Sequence, residues 1–405
     1  MKNTTLYITY DGLTDPLGKA QIIPYVNAIS NHPRKIIILS FEKKQFLNQI
    51  LITKKTLSPD RIKWIYLNFS NKFGPISKII DFLKITYFSI YLTYKYKIEI
   101  VHGRGTLPSF FGYLLKKIFN IKLVFDCRGM WTDERADNNN WKIKNFFYRS
   151  VYKIFKKIED ALFINSDSIV VLTQKIRIYL ITKYAIEKKI TVIPCSVSYD
   201  LFKYQTNINR SSILKKEFGI SKYKYIFYYS GSLGGIYQLD EMLNFFQSIY
   251  KSNNNHYFIF FTNNQEILNK TLLDKKYIDI KKNIKIKNID RELLPKYISL
   301  CDMMIYFIKP TFSKTASCPT KLGESLSIGV PIITNKGIGD IEDFFLKMKP
   351  GYLINNTDRI NYEKVIKNFK FIVDQKGDNL REKSRPLFDL KNAISLYEKV
   401  YSKLN

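Results

Sequence analysis

The chain has 405 residues, of which 45% are hydrophobic, and its 65 basic and 35 acidic residues give a formal net charge of +30. This length predicts two or three domains, and the hydrophobic fraction excludes an intrinsically disordered chain. No stretch approaches the roughly 20 apolar residues that a membrane span needs, and the first residues lack a signal-peptide pattern. The scattered cysteines, at 127, 195, 301 and 318, indicate reduced thiols in a cytoplasmic protein rather than disulfides or a zinc site.

The positive charge predicts an anionic partner, which could be a nucleic acid, an anionic membrane face or a phosphorylated substrate. The chain is rich in Lys throughout, so the sign of the charge is more informative than its size. A nucleic-acid-binding protein is the alternative that charge alone favours. However, the sequence shows no nucleic-acid-binding module and no basic stripe with aromatic platforms, so we expect no nucleic-acid partner.

Short apolar runs alternate with amphipathic ones along the whole chain. The predicted strands are 6–10, 35–41, 62–67, 99–102, 122–126, 168–172, 191–193, 225–230, 257–261, 284–286, 303–308, 331–334 and 352–354. The predicted helices are 18–30, 77–97, 108–119, 141–165, 174–184, 239–250, 291–300, 319–328, 341–348 and 390–404. This alternation predicts an α/β protein with parallel sheets covered on both faces.

A polar, irregular stretch at 200–212 interrupts this pattern and is a plausible linker. It divides the chain into two doubly wound units, predicted at 1–203 and 204–386, followed by a last segment at 387–405. Ligands of such sheets bind at the carboxyl ends of the strands. With two units, the expected site is the cleft between them.

The segment SKTASCPTKLGESLSIGVPIITNKGIGD predicts a loop, a helix, a buried strand and a glycine loop. Ser317, Cys318 and Pro319 form the predicted helix start, with the Ser317 hydroxyl as a candidate cap. A helix N-terminus suits a phosphate, and Lys321 would add a full charge there. Glu324 lies one turn on, where a carboxylate can accept two ribose hydroxyls. The alternative is a capped surface helix that carries one Lys and one Glu.

Four further loops follow predicted strands directly. They are 10–21, 102–105, 126–134 and 230–237. The first contains Gly12 and Gly18, and the helix that Gly18 opens could direct amides at a phosphate. It is not a dinucleotide-binding GxGxxG loop, and the fourth loop, which contains Gly231 and Ser232, is not a Walker loop.

The loop DCRGMWTDE at 126–134 is the hardest of these to explain as a simple connection. An exposed loop does not need Trp131, and a buried loop does not tolerate Arg128 and Glu134 without partners. His102, in the second loop, is either functional or a strand-end histidine bonded to backbone. The sequence therefore predicts a functional role for the 126–134 loop.

Several motifs together resemble glycosyltransferase family 4, in particular a bacterial surface-polysaccharide branch. They are YDGLTDPLGKAQIIPY, DCRGMWTDE, SDSIVVLT, VIPCSV, YSGSLGGIYQLDEM and ASCPTKLGESLSIGVPIITNKGIGD, in this order. The resemblance implies a GT-B fold with two Rossmann-like domains facing across a cleft. The N-terminal domain would bind the acceptor and the C-terminal domain the nucleotide-sugar. The last helix, in 387–405, would cross back to the N-terminal domain.

The resemblance also implies roles for individual residues. The ribose-binding glutamate of the family falls on Glu324, the donor phosphates and sugar on Pro319 to Lys321, and the phosphate-approaching glycine on Gly18, with Gly12 as the alternative. The full set expected to bind the donor is Gly12, Gly18, Gly231, Ser232, Ser317, Cys318, Pro319, Thr320, Lys321 and Glu324.

Two positions depart from the pattern of the family. A glutamate usually stands eight residues before the ribose-binding one, where this chain has Ala316. The glycine loop at 230–237 is often bordered by an arginine and a lysine, where this chain offers Ser232 and Tyr237. The phosphate charge would then be met by Lys321, Arg128 or Arg104.

The resemblance implies retention of anomeric configuration, no metal and no cofactor, with the nucleotide-sugar as substrate. Consistent with this, no metal-binding DxD signature follows a predicted strand. The leaving diphosphate would be stabilised by Lys321, by amides at 317–320 and by Arg128. Glu134, Asp133 or His102 would orient the acceptor or the sugar. The residues expected to act in catalysis are His102, Arg128, Glu134 and Lys321.

The predicted helices 77–97 and 141–165 alternate basic and aromatic residues. Such helices either lie on an anionic membrane face or are core helices with lysines on their solvent-exposed side. We expect the first, with a lipid-linked saccharide acceptor and a peripheral location at the inner face of the plasma membrane. A GT-B nucleotide-sugar epimerase and a degenerate transferase that binds without transfer stay open as alternatives.

Overall fold

The computed structural model describes residues 3–30, 34–70, 76–355 and 357–404. The chain divides into two compact units. Unit 1 comprises Met1–Pro194 and Lys391–Asn405, and unit 2 comprises Cys195–Leu390.

The strands run over short segments, and most of their residues are buried. They are β1 (Asn3–Thr9), β2 (Arg34–Glu42), β3 (Ile62–Asn68), β4 (Ile100–Arg104), β5 (Lys122–Asp126), β6 (Ser168–Val171), β7 (Ile190–Val192), β8 (Ile226–Ser230), β9 (Tyr257–Phe261), β10 (Ile284–Lys287), β11 (Met303–Ile305), β12 (Ile332–Asn335) and β13 (Gly351–Ile354).

The α-helices connect and cover these strands. They are α1 (Pro16–Gln21), α2 (Ile23–Ile29), α3 (Ile50–Lys55), α4 (Ile76–Tyr96), α5 (Thr106–Phe119), α6 (Trp131–Asp137), α7 (Phe146–Asn165), α8 (Gln174–Tyr184), α9 (Arg210–Phe218), α10 (Leu239–Ser252), α11 (Gln265–Thr271), α12 (Leu294–Ser299), α13 (Thr320–Ser327), α14 (Ile341–Met348), α15 (Arg359–Lys367), α16 (Phe369–Val373), α17 (Asp378–Phe388) and α18 (Leu390–Ser402).

Each unit contains a parallel sheet. Among the described residues, the sheet of unit 1 has seven strands in the order β3-β2-β1-β4-β5-β6-β7, and that of unit 2 has six in the order β10-β9-β8-β11-β12-β13. Strand order reverses between β1 and β4 in unit 1 and between β8 and β11 in unit 2. Crevices outside the carboxyl ends of strands at such reversals are where doubly wound sheets bind ligands.

The strands form where apolar runs are buried on both faces. In β2, the side chains of 36–39 are fully buried, and all of β8 is buried. The predicted strand 303–308 is shorter, ending at Ile305. The predicted helix 18–30 is two helices separated at Ile22, and the predicted helix 141–165 begins at Phe146, where the side chain of Asn145 caps it.

The predicted linker at 200–212 is part of unit 2. Phe202 is fully buried, and Arg210 begins helix α9 and donates to the carboxylate of Asp302 (2.6 Å). The units therefore divide at 194/195 rather than at 203/204. The later division lies at 390/391 rather than at 386/387, since helix α17 continues to Phe388.

Helix α18 lies almost wholly in unit 1. Its buried side chains include Tyr397 and Tyr401, and the ring of Tyr397 contacts that of Tyr25 with the centroids 5.5 Å apart. Among the described residues, no helix is both long enough and apolar enough to cross a membrane. All four cysteines are buried.

Candidate functional site

The residues expected to form a site divide between the two units. Gly12, Gly18, His102, Arg128 and Glu134 lie in unit 1, and the remaining residues of the predicted set lie in unit 2.

Helix α13 carries the predicted unit 2 site at its first turn. Its N-cap is Pro319, and no side-chain hydrogen bond caps it in the described structure. The prediction that Ser317 caps this helix is wrong, because Ser317 instead ends a short 3-10 helix, Phe312–Ala316, and its N–H donates to the carbonyl of Lys314 (3.1 Å). The first N–H groups of α13 have no intrahelical acceptors, as at any helix start.

Lys321 is a buried cation held between two aromatic rings. Its Nζ lies 3.9 Å from the ring centroid of Tyr229 and 3.5 Å from that of Tyr237. Within the described structure, this Nζ is buried without a hydrogen-bond partner. Burial lowers the pKa of Lys321 well below its usual range, although Glu324 partly opposes this. A buried ammonium without an acceptor is costly, so this position favours an anionic ligand.

Gly231 lies against this lysine and follows strand β8. Its φ is +119°, and an added Cβ would lie 3.2 Å from the Nζ of Lys321. The loop is fixed by a hydrogen bond from the hydroxyl of Tyr229 to the carbonyl of Ser232 (2.6 Å). Gly231 and Lys321, which both belong to the expected donor-binding set, therefore lie side by side in unit 2.

Glu324 is buried one turn further along α13 and is paired with Arg291. The guanidinium of Arg291 donates to Glu324 Oε1 (2.5 Å), and the guanidinium carbon lies 4.9 Å from the ring centroid of Phe202. Arg291 was not among the residues predicted from the sequence. This ion pair fixes one carboxylate oxygen of Glu324.

The first loop of unit 1 binds a carboxylate of the chain itself. Glu42, fully buried at the end of β2, accepts hydrogen bonds from the N–H of Leu13 (2.8 Å) and of Thr14 (3.1 Å), and also from the Thr14 hydroxyl. An added Cβ at Gly12 would lie 2.6 Å from this carboxylate, and one at Gly18 would lie 2.0 Å from the carbonyl oxygen of Gly12. Both glycines therefore have a packing role, and their role towards a ligand stays a prediction.

His102 lies at the buried centre of unit 1. Its Nδ1 is 2.7 Å from the hydroxyl of Tyr401, and its Nε2 is 3.4 Å from Asp126 Oδ2. Asp126 also accepts from the hydroxyl of Tyr397 (3.0 Å). Burial lowers the pKa of His102. Because His102 is fully buried beside Asp126, it supports that carboxylate, and its expected role in catalysis stays a prediction.

Two arginines flank Asp126 at the carboxyl ends of β4 and β5. Arg104 NH1 lies 3.7 Å from Asp126 Oδ2, and Arg128 NH1 lies 3.5 Å from Asp126 Oδ1. Burial opposes ionisation of Asp126, but the charge of Arg128 and the hydrogen bond from His102 hold its pKa below its usual range. The buried carboxylate thus anchors two cations, of which the sequence analysis placed only Arg128 in the catalytic set.

The second half of the predicted loop 126–134 is helical. Helix α6 begins at Trp131, and Asp133 accepts from the hydroxyl of Tyr152 (2.7 Å) and from Nζ of Lys156 (2.9 Å). Asp133 is therefore engaged by helix α7. Glu134 is only partly buried and lines a pocket together with Trp131.

This pocket of unit 1, which we call the aromatic pocket, has a volume of about 730 Å³. It combines cationic, acidic and apolar walls. Its lining residues are Tyr10, Asp11, Phe69, Lys78, Phe82, Arg104, Gly105, Thr106, Leu107, Pro108, Phe111, Arg128, Gly129, Trp131, Glu134, Arg135 and Trp141. No cluster of three or more His, Cys, Asp or Glu that could hold a metal occurs among the described residues.

Residues 55–201 match a family model described as Glycosyltransferase Family 4. A search of curated protein sequences finds no match to the chain. The predicted resemblance to this family is confirmed for that segment.

Solved structures match the whole chain. HepE from Anabaena, solved with UDP and glucose, has a TM-score of 0.71 and 11% identity, with 99% of this chain and 98% of that chain covered. Sucrose-phosphate synthase from Thermosynechococcus elongatus has a TM-score of 0.71 and 15% identity, with 100% and 99% covered. WaaG, a glycosyltransferase involved in lipopolysaccharide biosynthesis, has a TM-score of 0.65 and 15% identity, with 99% of each chain covered. These likenesses confirm the predicted α/β fold with two Rossmann-like units, that of GT-B proteins.

Proposed function

We propose that the chain transfers a sugar from a nucleotide-sugar donor to a saccharide acceptor, because residues 55–201 match the family model described as Glycosyltransferase Family 4. The match to this family model is the observation that carries the proposal. The buried, unpaired Nζ of Lys321 beside Gly231 supports it.

We propose that unit 2 binds the donor at the start of helix α13. The diphosphate would lie against the Nζ of Lys321 and the first N–H groups of the helix, where the dipole also favours an anion. Glu324, held by Arg291 through one carboxylate oxygen, keeps capacity in the other oxygen to accept ribose hydroxyls. Ser317, Cys318 and Ser232 would complete this surface.

The leaving group of such a transfer is a nucleoside diphosphate, whose negative charge grows as the bond to the sugar breaks. Donors fixed before the reaction stabilise that charge. We propose that Lys321 and the α13 amides do this without a metal or cofactor, with retention of configuration, and that the leaving phosphate takes the acceptor proton. Arg128 and Glu134 would act on the acceptor side.

Steady-state kinetics on the purified chain, with EDTA present and a panel of nucleotide-sugars, test the donor site. Glu324→Ala should raise the donor KM about tenfold to a hundredfold, the value of one or two charge-assisted hydrogen bonds. Glu266→Ala, which changes an exposed glutamate of α11, is the matched control and should behave as the wild type.

Unchanged kinetics in Glu324→Ala would contradict the donor site. Turnover of a nucleotide-sugar without any acceptor would indicate an epimerase instead. Folded protein that binds nucleotides but does not transfer sugar would indicate a degenerate transferase. A salt-sensitive shift of DNA or RNA in a gel at nanomolar protein concentration would favour the hypothesis of a nucleic-acid-binding protein.

We propose a lipid-linked acceptor, in the synthesis of bacterial surface polysaccharide or lipopolysaccharide, and peripheral association with the inner face of the plasma membrane. The exposed face of helix α4 supports this. Ile79, Leu83, Tyr87 and Tyr94 are exposed at helical spacing, between 60% and 81%, and lysines stand along the same helix. An exposed apolar stripe with lysines suits an anionic membrane surface.

Flotation with anionic liposomes at low salt tests the membrane proposal. The wild type should float, and Leu83→Glu should float much less, because a carboxylate would enter the apolar layer. Ile178→Glu, at an exposed residue of α8, is the control for the charge change. Absence of wild-type binding at low salt would remove this part of the proposal.

A further inference from the structure

The aromatic pocket of unit 1 has a cationic end, formed by Arg104, Arg128 and the start of helix α5. Helix α5 begins there with Gly105 as its N-cap, and no side-chain hydrogen bond caps it in the described structure. Gly105, Thr106 and Leu107 line the pocket. The first turn of this 14-residue helix therefore brings free N–H groups and the positive end of its dipole to the pocket.

Arg104 is an independent sign of a ligand at the same end. Its side chain is only 4% exposed, yet it lines the pocket, and its Nε is buried without a hydrogen-bond partner in the described structure. The carboxylates nearest to it, those of Asp11 and Asp126, are both 3.7 Å away. These distances exceed a hydrogen bond, so the acidic residues balance the charge of Arg104 without using its donors.

The other end of the pocket is aromatic and leads to an exposed surface. Phe69, Phe82, Trp131 and Trp141 line it, with the rings of the two tryptophans in edge contact at 5.4 Å. Phe82 belongs to helix α4 and is 42% exposed. It therefore lines the pocket and is also exposed, one turn after Ile79 of the apolar face of α4 described above, so the pocket lies next to that face.

We propose that the aromatic pocket binds a phosphate-bearing amphiphile, with the phosphate at Arg104, Arg128 and the start of α5, and the apolar chain along Phe82 and the tryptophans. This inference rests on the proposed function, because the amphiphile would be the anchored end of the acceptor. An oxyanion fits a guanidinium beside a helix N-terminus, and the aromatic wall fits a chain but gives a free phosphate no contact.

Intrinsic fluorescence provides a direct assay. Two of the three tryptophans of the chain line the pocket, and the third, Trp64, is buried with its Nε1 donating to Ser40 (2.9 Å). Titration of the full chain with farnesyl phosphate should change the emission saturably. Farnesol and inorganic phosphate should each bind at least tenfold more weakly, because each lacks one half of the recognised chemistry.

Two variants test the two ends of the pocket. Arg104→Gln should weaken farnesyl phosphate binding about tenfold to a hundredfold, the range of one lost charge-assisted contact. Phe82→Ser, at a half-exposed position, should weaken it as well. Arg177→Gln is the control, because Arg177 is paired with Glu187 outside the pocket. A far-ultraviolet circular dichroism spectrum and a Tm like those of the wild type in all three would show that they are folded.

The possible results separate clearly. Equal affinity for farnesol and farnesyl phosphate, or for inorganic phosphate and farnesyl phosphate, would overturn the proposal, as would no fluorescence change. Lysophosphatidic acid, tested in parallel, distinguishes an isoprenoid phosphate from a glycerolipid, and tight binding of either supports the inference. Sugar transfer without pocket binding would refute this inference alone, whereas pocket binding without any nucleotide-sugar turnover would refute the proposed function alone.

Discussion

Lys321→Met should make the protein more stable while weakening its affinity for a nucleoside diphosphate. The substitution keeps the length and most of the volume of a side chain that is buried between the rings of Tyr229 and Tyr237. It removes an ammonium that has no hydrogen-bond acceptor in the described structure. A methionine thioether also packs well against aromatic rings.

The magnitude follows from two opposing terms. Burial of an ammonium costs several kcal/mol even after the protein relaxes, and contact with aromatic faces offsets about 2 kcal/mol of this cost. We therefore expect Lys321→Met to raise the free energy of unfolding by about 1–3 kcal/mol. In a unit of this size each kcal/mol raises Tm by about 2–4 °C.

The gain should depend on pH in a defined direction. The pKa of Lys321 is lowered in the folded protein, so the unfolded chain binds this proton more readily, and wild-type stability rises with pH between the folded value and the unfolded value of about 10.4. The stability advantage of Lys321→Met should therefore be largest near neutral pH and should shrink as the pH approaches 10.

Thermal unfolding with and without nucleoside diphosphates measures both effects. A ligand at 100 times its Kd stabilises the wild type by about 2.7 kcal/mol, and the variant should need about tenfold to a hundredfold more ligand for the same shift. Lys347→Met, at an exposed lysine of α14, should change stability by less than about 0.5 kcal/mol. A variant that is less stable than the wild type and binds nucleotide equally well would refute the reasoning.

Three further predictions concern other positions. Tyr397→Phe should lower the stability of unit 1 by about 1.5–3 kcal/mol in urea unfolding, because it removes a hydrogen bond to the charged Asp126; no loss would show that the hydroxyl is unimportant. Gly231→Ala should weaken nucleotide binding in calorimetry, whereas Gly219→Ala, which also has positive φ but open space around it, should only cost about 1 kcal/mol of stability; equal binding defects would contradict this. Burial lowers the pKa of His256 to about 4, so stability should fall by about 3 kcal/mol from pH 6.5 to 4, and His256→Phe should show a flatter pH profile.

The local pattern of the chain predicted most elements of both sheets. The bounds of β5, β9, α8 and α14 agree with the prediction to the residue. Each of these segments has a clear hydrophobic pattern, and residues typical of strand or helix ends lie at its two limits. The helices that were missed are short or strongly polar, such as α9, which begins inside the predicted linker. Its two buried side chains, Leu214 and Phe218, are too few to give a helical pattern against a polar background.

The candidate site was only partly predictable, because its geometry depends on contacts between residues that lie far apart in the chain. Lys321 and Gly231 could be named from motifs whose order along the chain is informative. Arg291 does not belong to any recognisable sequence motif, and its contact with the Glu324 carboxylate arises only in the folded chain. Glu42 was also missed, since a buried acidic residue at the end of an apolar strand gives no sign of the loop amides that it binds.

The position of helix α18 in unit 1 has a consequence for biosynthesis. The chain is made from its N-terminus, but the hydroxyl that fixes Asp126 comes from a residue 271 positions later. When the ribosome has synthesised all residues of unit 2, helix α18, which packs in unit 1, has not yet been made. A nascent chain in which α18 has not yet been made would therefore expose the buried face that receives Tyr397 and Tyr401, and it would need protection from aggregation until this helix docks.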